Sequence, residues 1–343
     1  MNLEIFASRP EVAAKPEAPA ETKIAVRHLD FFYGGFQALK ARNPYAVAWY
    51  DKLPYAWVDV CPRQLSLNVM DAPWNDKDMR WALGYAINRD QIVSIAYEGT
   101  SRPAQFIFPA YPPLNRYVTM LEEKGLFTKY PIGQYNPAKA AQLIEAKGYK
   151  KGSSGYYEKD GRQLSLPILV DEAYIELKRV AQVVVQQLQN AGINATIQVM
   201  ADSAWGDAQA FGRYQAAMAW NSCGSVVEPW TSMDHYNARW VVPIGRRAAD
   251  NLFRWKNARY SALVDQMGVL PLNDPKLDRL FVQAAAVWMA DLPAIPLTQA
   301  KKLVPFDTYY WTGWPTINNF YAVPETWWHS THAIIHNLRP TGR

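Results

Sequence analysis

Residues 164–199 constrain the fold of this chain more than any other stretch. LSLPILV sets Leu164, Leu166 and Ile168 on one face of a strand, and INATIQVM reads as a second strand. Between them AYIELKRVAQVVVQQLQNAG is amphipathic at helical spacing and stops at Gly192. Strand 164–170, helix 174–191 and strand 193–199 therefore make a βαβ unit. Strands joined through a helix lie parallel, and the crossover is right-handed. This is an α/β pattern, and 343 residues are enough for two domains with sizeable cores.

The rest of the chain reads in pieces around that unit. Residues 1–23, rich in Ala, Pro, Glu and Lys, form a solvated lead-in. FQALKARN is a short helix ended before Pro44, AVAWY a short strand, and LSLNVM (65–70) an alternating strand. Asn75 or Asp76 caps a helix holding Met79, Leu83, Ala86 and Ile87, and residues 91–98 add a second set that closes at Gly99. SRPAQFIFPAYPPLN is Pro-rich and reads as irregular. Asn136-Pro137 opens a helix that Gly148 stops, and Asp160-Gly161 turns a hairpin. SAWGDAQAFGR is a short helix, and YQAAMAW is a strand ending at Trp220. Residues 221–256 show little regularity, and long loops in compact domains are usually functional. Helices are expected over 257–267 and 275–290, then an extended Pro-bounded segment, PAIPLTQAKKLVPF, and a helical STHAIIHNL.

Composition removes several function classes. Apolar residues make up 49% and charged residues 20%, which is globular. The net charge of +5 is spread without a Lys/Arg block or a basic-aromatic stripe, so nucleic acid is not an expected partner. No apolar run approaches the ~20 residues of a membrane helix. The N-terminus has neither the basic start nor the apolar core of an export signal. Two cysteines, Cys61 and Cys223, exclude a disulfide-rich scaffold and a Cys-cluster metal site, while one disulfide stays open. His329, His332 and His336 could share a helical face, but no Cys or carboxylate sits at suitable spacing beside them, so no metal or cofactor is expected. Asp202, Asp207, Glu228 and Asp234 surround Trp220 in sequence without marking an acid–base pair. Neither a phosphate loop nor a nucleophile elbow is present, and no enzyme activity is expected, with a carbohydrate-active enzyme as the minor alternative.

Residues 306–328, FDTYYWTGWPTINNFYAVPETWW, hold Trp311, Trp314, Trp327 and Trp328 with tyrosines between them. No period of two or 3.6 fits this stretch, so it reads as an ordered loop. Indoles there either pack one lobe together or offer flat apolar faces and an N–H donor to a ligand such as a sugar ring.

MRWALGYAINRDQIV (79–93) resembles the signature of the large solute-binding proteins of ABC importers, the oligopeptide/dipeptide-binding family, or family 5. LSLN (65–68) and Arg80-Trp81-Ala82 stand where that family has a strand ending in Asn and an R-x-A-type helix start. YNPAKAAQLIEAKGY (135–149), the βαβ unit with AGI (191–193), AAMAW (216–220) and LPAIPL (292–297) continue the match in order. The resemblance covers about residues 24–340.

The resemblance implies a periplasmic-binding-protein-like α/β fold: two lobes joined by a hinge and closing on a solute. Residues 71–300 would be a complete second lobe, with 24–70 and 301–343 a partial first lobe. Residues 65–70 and 295–304 would be the hinge crossings. Members are usually longer, and the missing part, before residue 24, would carry the export signal and much of the first lobe. The implied partners are a small-molecule solute and the membrane permease subunits of the importer, and the implied location of the full-length protein is periplasmic or extracellular and membrane-associated.

Peptide-binding members place an Asp shortly after the matching Trp, to hold the ligand ammonium. Here Trp220 is followed by Asn221-Ser222-Cys223-Gly224-Ser225, and no carboxylate comes before Glu228. That favours a neutral oligosaccharide of the cello-oligosaccharide type over an oligopeptide, and the Trp-rich tail resembles the sugar-binding subgroup. The candidate ligand residues are Trp220 and Asn221 from one lobe and Tyr55, Trp57, Trp311 and Trp314 from the other. Trp205, Trp230 and Trp240 are secondary candidates, and Trp81 reads as packing.

Overall fold

The computed structural model describes residues 31–343 apart from 53–54, 109–111, 221–224, 226 and 325–330, and of residues 31–36 and 112–113 the backbone course alone. In chain order the strands are β1 (Ala46–Val47), β2 (Trp57–Val58), β3 (Arg63–Leu67), β4 (Arg102–Pro103), β5 (Lys150–Lys151), β6 (Tyr157–Lys159), β7 (Arg162–Gln163), β8 (Ser165–Asp171), β9 (Asn194–Met200), β10 (Ala216–Trp220), β11 (Ala294–Gln299), β12 (Lys301–Lys302), β13 (Phe306–Asp307), β14 (Trp311–Thr312) and β15 (Arg339–Pro340). The helices are α1 (Phe31–Arg42), α2 (Lys77–Ala86), α3 (Arg89–Ala96), α4 (Pro112–Glu123), α5 (Leu126–Lys129), α6 (Pro137–Ala146), α7 (Ile175–Asn190), α8 (Asp202–Ala210), α9 (Trp230–Asp234), α10 (Ala258–Met267), α11 (Pro275–Asp291) and α12 (Thr331–Asn337).

The βαβ unit forms as its sequence pattern requires. β8 and β9 pair in parallel over their full length, from Ser165↔Asn194 to Asp171↔Met200. Helix α7 buries Leu177, Val180, Ala181, Val184 and Leu188, the i, i+3, i+4 stripe that a helix lays on a sheet. Gly192 ends it at φ +89°, where an L side chain would be strained. These strands belong to a six-stranded sheet of order β4-β11-β3-β10-β8-β9. β10 runs parallel to β8, whereas β3 is antiparallel to both β10 and β11. Every residue of β3 is buried. Leu65 and Leu67 fill one face. On the other, Gln64 and Ser66 satisfy each other at 3.0 Å, and Tyr236 donates to Gln64.

The strand expected over 65–70 forms over Arg63–Leu67, because Asn68 leaves the ladder to donate to the Gly212 carbonyl at 3.0 Å. β3 lies in the middle of the sheet, so a lobe boundary at residue 70 would cut the sheet open. The chain instead leaves the sheet between β2 and β3 and again between β11 and β12. There β2 pairs with β12, and the Asp59 N–H donates to the Ala300 carbonyl at 3.0 Å. Among the described residues the remaining strands form two short pairs, β1 with β13 and β14 with β15, and a small three-stranded sheet, β5-β6-β7. The stretch read as irregular after Gly99 contains β4 and runs into α4, whose first residues are prolines. Proline is tolerated in a first helical turn, since its missing N–H has no partner there anyway.

Candidate functional site

Register brings functional groups to one edge of the sheet. Trp220 at the carboxyl end of β10 pairs with Arg63 at the amino end of β3, and Thr298 near the end of β11 also pairs with Arg63. The carboxyl end of β8 and the start of α7 follow on the same edge, because β8 is parallel to β10. Solutes in open α/β sheets bind outside the carboxyl ends of the strands. Here that edge is also where the chain crosses out through β2 and β12.

An ionic chain, buried at Asp59 and Arg63 and part-exposed at its two ends, spans the crossing. Lys302 and Arg63 each reach Asp59 Oδ2 at 2.7 Å, and Asp59 Oδ1 accepts the Cys61 N–H at 3.0 Å. Arg63 then meets Glu176 in α7 through both Nε and Nη2, at 2.5 and 2.9 Å. Tyr97 donates to Glu176 at 2.7 Å, and Thr298 donates to Tyr97 at 3.1 Å. The charges balance: Arg63 and Lys302 against Asp59 and Glu176. Burial alone would raise the Asp59 carboxyl, but the Arg63 and Lys302 charges more than offset it and hold it below its usual 3.8. Burial, and then the Glu176 charge, pushes the Tyr97 hydroxyl far up, so it stays a donor. Cys61 lies inside this chain and is disulfide-bonded. The sequence has one other cysteine, Cys223, which falls outside the described residues.

Beside this chain is a cavity of about 450 Å³. One wall is the end of α3 (Ala96, Tyr97, Glu98), the second is the start of α7 (Ile175, Glu176, Arg179), and the third is the outgoing strand from Ala300 to Val304. Ile175 is 68% exposed and faces the opening with Arg179 and Glu98, which pair at 3.1 Å. The wall is thus apolar with charges of both signs at its rim, a lining that suits a small solute with separated polar ends.

Of the six expected ligand residues, the five that are described, Trp220, Tyr55, Trp57, Trp311 and Trp314, do not line that cavity. Trp220 and Trp57 each pair in register with a residue that does, Arg63 and Lys302. Trp220 is half-buried and sits edge-on to Tyr174 at 4.5 Å and to Trp205 at 6.3 Å. Asn221 lies outside the described residues. Trp57 is 1% exposed and packs at 6.0 Å on Trp49, and Tyr55 is buried at φ 61°, so neither offers a ring face to a solute in this conformation. Trp314 stacks on Phe306 at 4.6 Å and donates to the carbonyls of Asp307 and Trp311. Trp311 is 47% exposed. No ring contact joins the Trp314 cluster to the Trp220 cluster among the described residues. Trp240 donates to Asp234 at 3.2 Å, Trp230 packs against Gly268, and Trp81 donates to the Ala290 carbonyl at 3.1 Å. Trp327, Trp328 and His329 lie outside the described residues.

The carboxylates near Trp220 come from elsewhere than the run after it. Glu176 and Asp171 reach this edge from α7 and β8. Glu228 instead caps α9, accepting the Trp230 N–H and both donors of Thr231, and Asp207 pairs with Arg247. Among the described residues, no group of three side chains could hold a metal ion.

A family model described as bacterial extracellular solute-binding proteins, family 5 Middle, matches residues 48–240. The chain is 26% identical over 281 residues to a glutathione-binding protein of Salmonella paratyphi A, covering 78% of this chain and 46% of that protein. It thus spans about half the length of such relatives. Among solved structures it resembles an oligopeptide-binding protein of Thermotoga maritima bound to mannohexaose, with TM-score 0.73, 22% identity, and coverage of 90% of this chain and 57% of the other. It also resembles the oligopeptide-binding protein AppA of Bacillus subtilis in complex with a nonapeptide, with TM-score 0.63, 16% identity, and coverage of 90% and 55%. These likenesses show a periplasmic-binding-protein-like α/β fold.

Proposed function

The chain belongs to the bacterial extracellular solute-binding proteins, family 5, and on that premise we propose that it is the solute-holding part of an ABC importer. It holds a short peptide at the crossing, releases it unchanged to membrane permease subunits, and works outside the cytoplasmic membrane. The observation that carries this reading is the cavity between α3, α7 and β12, with its apolar wall and its Glu98, Arg179, Glu176 and Arg63 charges. A peptide offers an ammonium, a carboxylate and apolar side chains, which such a wall can meet group by group. The glutathione-binding relatives point the same way.

Thermal unfolding tests the reading, because a ligand that binds only the folded state raises Tm by mass action. Reduced glutathione or a tripeptide is expected to raise Tm in a concentration-dependent way and to be recovered intact. A rise with mannohexaose or cello-oligosaccharides, and none with peptides, would overturn it. That outcome is the second reading, an oligosaccharide, which the Tyr174–Trp220–Trp205 rings and the mannohexaose-bound neighbour favour. Released monosaccharide would mean an enzyme and would contradict both.

A further inference from the structure

Arg80 and Arg254 are 3% and 1% exposed, and their guanidinium hydrogen bonds go to backbone carbonyls. Carbonyls satisfy N–H groups but carry no net charge to cancel two cations. Arg254 Nε has no hydrogen-bond partner at all among the described residues. Burial lowers the pKa of both arginines, and the charges around them do not make up the difference. Buried charges in folded proteins are ordinarily paired, so two of them without an anion call for one.

Both arginines line a second cavity, of about 380 Å³, with Asn75, Lys77, Lys256 and Asp291. It lies past the carboxyl end of β3, whereas the solute cavity lies at the amino end of that strand, beside Arg63. The two cavities are thus on opposite edges of the sheet. Lys77 and Lys256 are exposed and make no ion pair among the described residues. The carboxylates that could neutralise them are engaged. Asp76 and Asp78 both pair with Lys147 at 2.7 Å, and Asp71 accepts the Asn68 side-chain amide. Four cations therefore line the cavity against one carboxylate, Asp291.

Asp291 narrows the chemistry of the missing anion. Its Oδ2 accepts the Trp255 indole N–H and the Asn257 amide, each at 3.1 Å, and its Oδ1 has no partner among the described residues. An ionised carboxylate only accepts, so it repels an anion that has no proton to offer. Phosphate near neutral pH carries an O–H together with its negative charge, whereas sulfate carries the charge alone. Guanidinium and ammonium groups both suit phosphate oxygens.

We propose that this cavity is a hydrogen-phosphate site. Lys77 and Lys256 meet the phosphate oxygens, Arg80 and Arg254 supply fixed positive charge in the wall, and Asp291 accepts the phosphate O–H. The site is separate from the solute cavity and stands whether the solute is a peptide or a sugar.

The test is calorimetric titration of inorganic phosphate into the whole chain, near neutral pH and at constant ionic strength. Saturable binding is expected, with sulfate at least about tenfold weaker, since a site built around a hydrogen bond rejects the analogue that lacks it. Joint replacement of the two exposed lysines, Lys77→Gln with Lys256→Gln, should weaken phosphate at least about tenfold. Asp291→Asn removes the repulsion and should bring sulfate to within about threefold of phosphate. The lysine variant decides the matter should Asp291→Asn fail to fold. No binding of phosphate, or equal affinity in the wild type and the lysine variant, overturns the site. Equal affinity of the wild type for phosphate and sulfate overturns the assignment to hydrogen phosphate. Displacement of phosphate by phosphatidylglycerol vesicles, whose phosphodiester has no O–H, would point to a lipid headgroup and overturn it too.

Discussion

Arg80 shows how a buried charge can be held without a carboxylate. Its guanidinium donates to the carbonyls of Asp291 and Leu292 at the end of α11, and to those of Trp74 and Asn75 before α2. Burial lowers its pKa to about 10, and the Asp291, Asp76 and Asp78 charges only partly restore it. Arg254 does the same for the Gln209 and Ala210 carbonyls at the end of α8. Carbonyls at a helix end carry the negative pole of the helix, which is why a cation settles there. Lysine offers no planar fork, so Arg80→Lys is expected to lower stability by about 2–4 kcal/mol in urea denaturation. A loss within experimental error would contradict this role. The residue stands out in the sequence as part of Arg80-Trp81-Ala82, but its purpose does not, because the Asp291 and Leu292 carbonyls that it joins to its own helix start lie more than 200 positions away. The tryptophans divide the same way. Trp57, almost fully buried, should cost roughly 3–5 kcal/mol on truncation to Ala. Trp311→Ala should stay within about 0.5 kcal/mol, as exposed positions do. Equal losses in the two variants would show that burial does not separate them.

At the scale of elements, local pattern carries far. The βαβ unit, the 160–161 hairpin turn and the Asn136-Pro137 helix start are all written in periodicity, glycine placement and capping residues. Asn136 accepts the Lys139 N–H at 3.0 Å, as a cap should. α4 was hidden because paired prolines read as breakers, although at a helix start they are not. The described part of the Trp-rich stretch, 306–324, is mostly irregular but contains the two-residue strands β13 and β14, and it is fastened by β14–β15. Gly313 lies there at φ +92°, and a Cβ on it would sit 2.4 Å from the Asn337 carbonyl oxygen. Gly313→Ala is therefore expected to open β14–β15 and cost about 1–3 kcal/mol. The check is hydrogen exchange: the Thr341 N–H, bonded to Tyr310 O at 3.0 Å, should lose protection. Unchanged exchange there would show that the backbone absorbs the extra methyl.

Across the whole molecule, the sheet and the outer strand pairs meet at a crossing held by Lys302–Asp59–Arg63–Glu176. That chain could not be read from the sequence, because Lys302 in β12, Glu176 in α7 and the Asp59–Arg63 pair at the β2–β3 link come from parts of the chain that are far apart and meet only in the fold. The same holds for the site. Trp220 is visible as a strand end, whereas the acidic groups beside it arrive from β8 and α7. Asp59 gives the crossing a pH signature. Its folded pKa lies below 3.8, so its contribution is complete above that value and is lost as pH falls through the folded pKa. Asp59→Asn leaves Arg63 and Lys302 short of a counter-charge, and should cost about 3–5 kcal/mol at pH 7. The difference from wild type should shrink below about pH 4. Parallel stability curves from pH 7 to pH 3 would contradict this account of the crossing. The central claim, that the solute sits in the cavity beside Ile175 and Glu176, is tested most directly by calorimetric titration of a tripeptide into Ile175→Trp. Ile175 is 68% exposed, so the larger ring fills the cavity mouth without entering the core. The account predicts an unchanged Tm and binding weakened at least about tenfold; wild-type affinity in that variant would place the solute elsewhere.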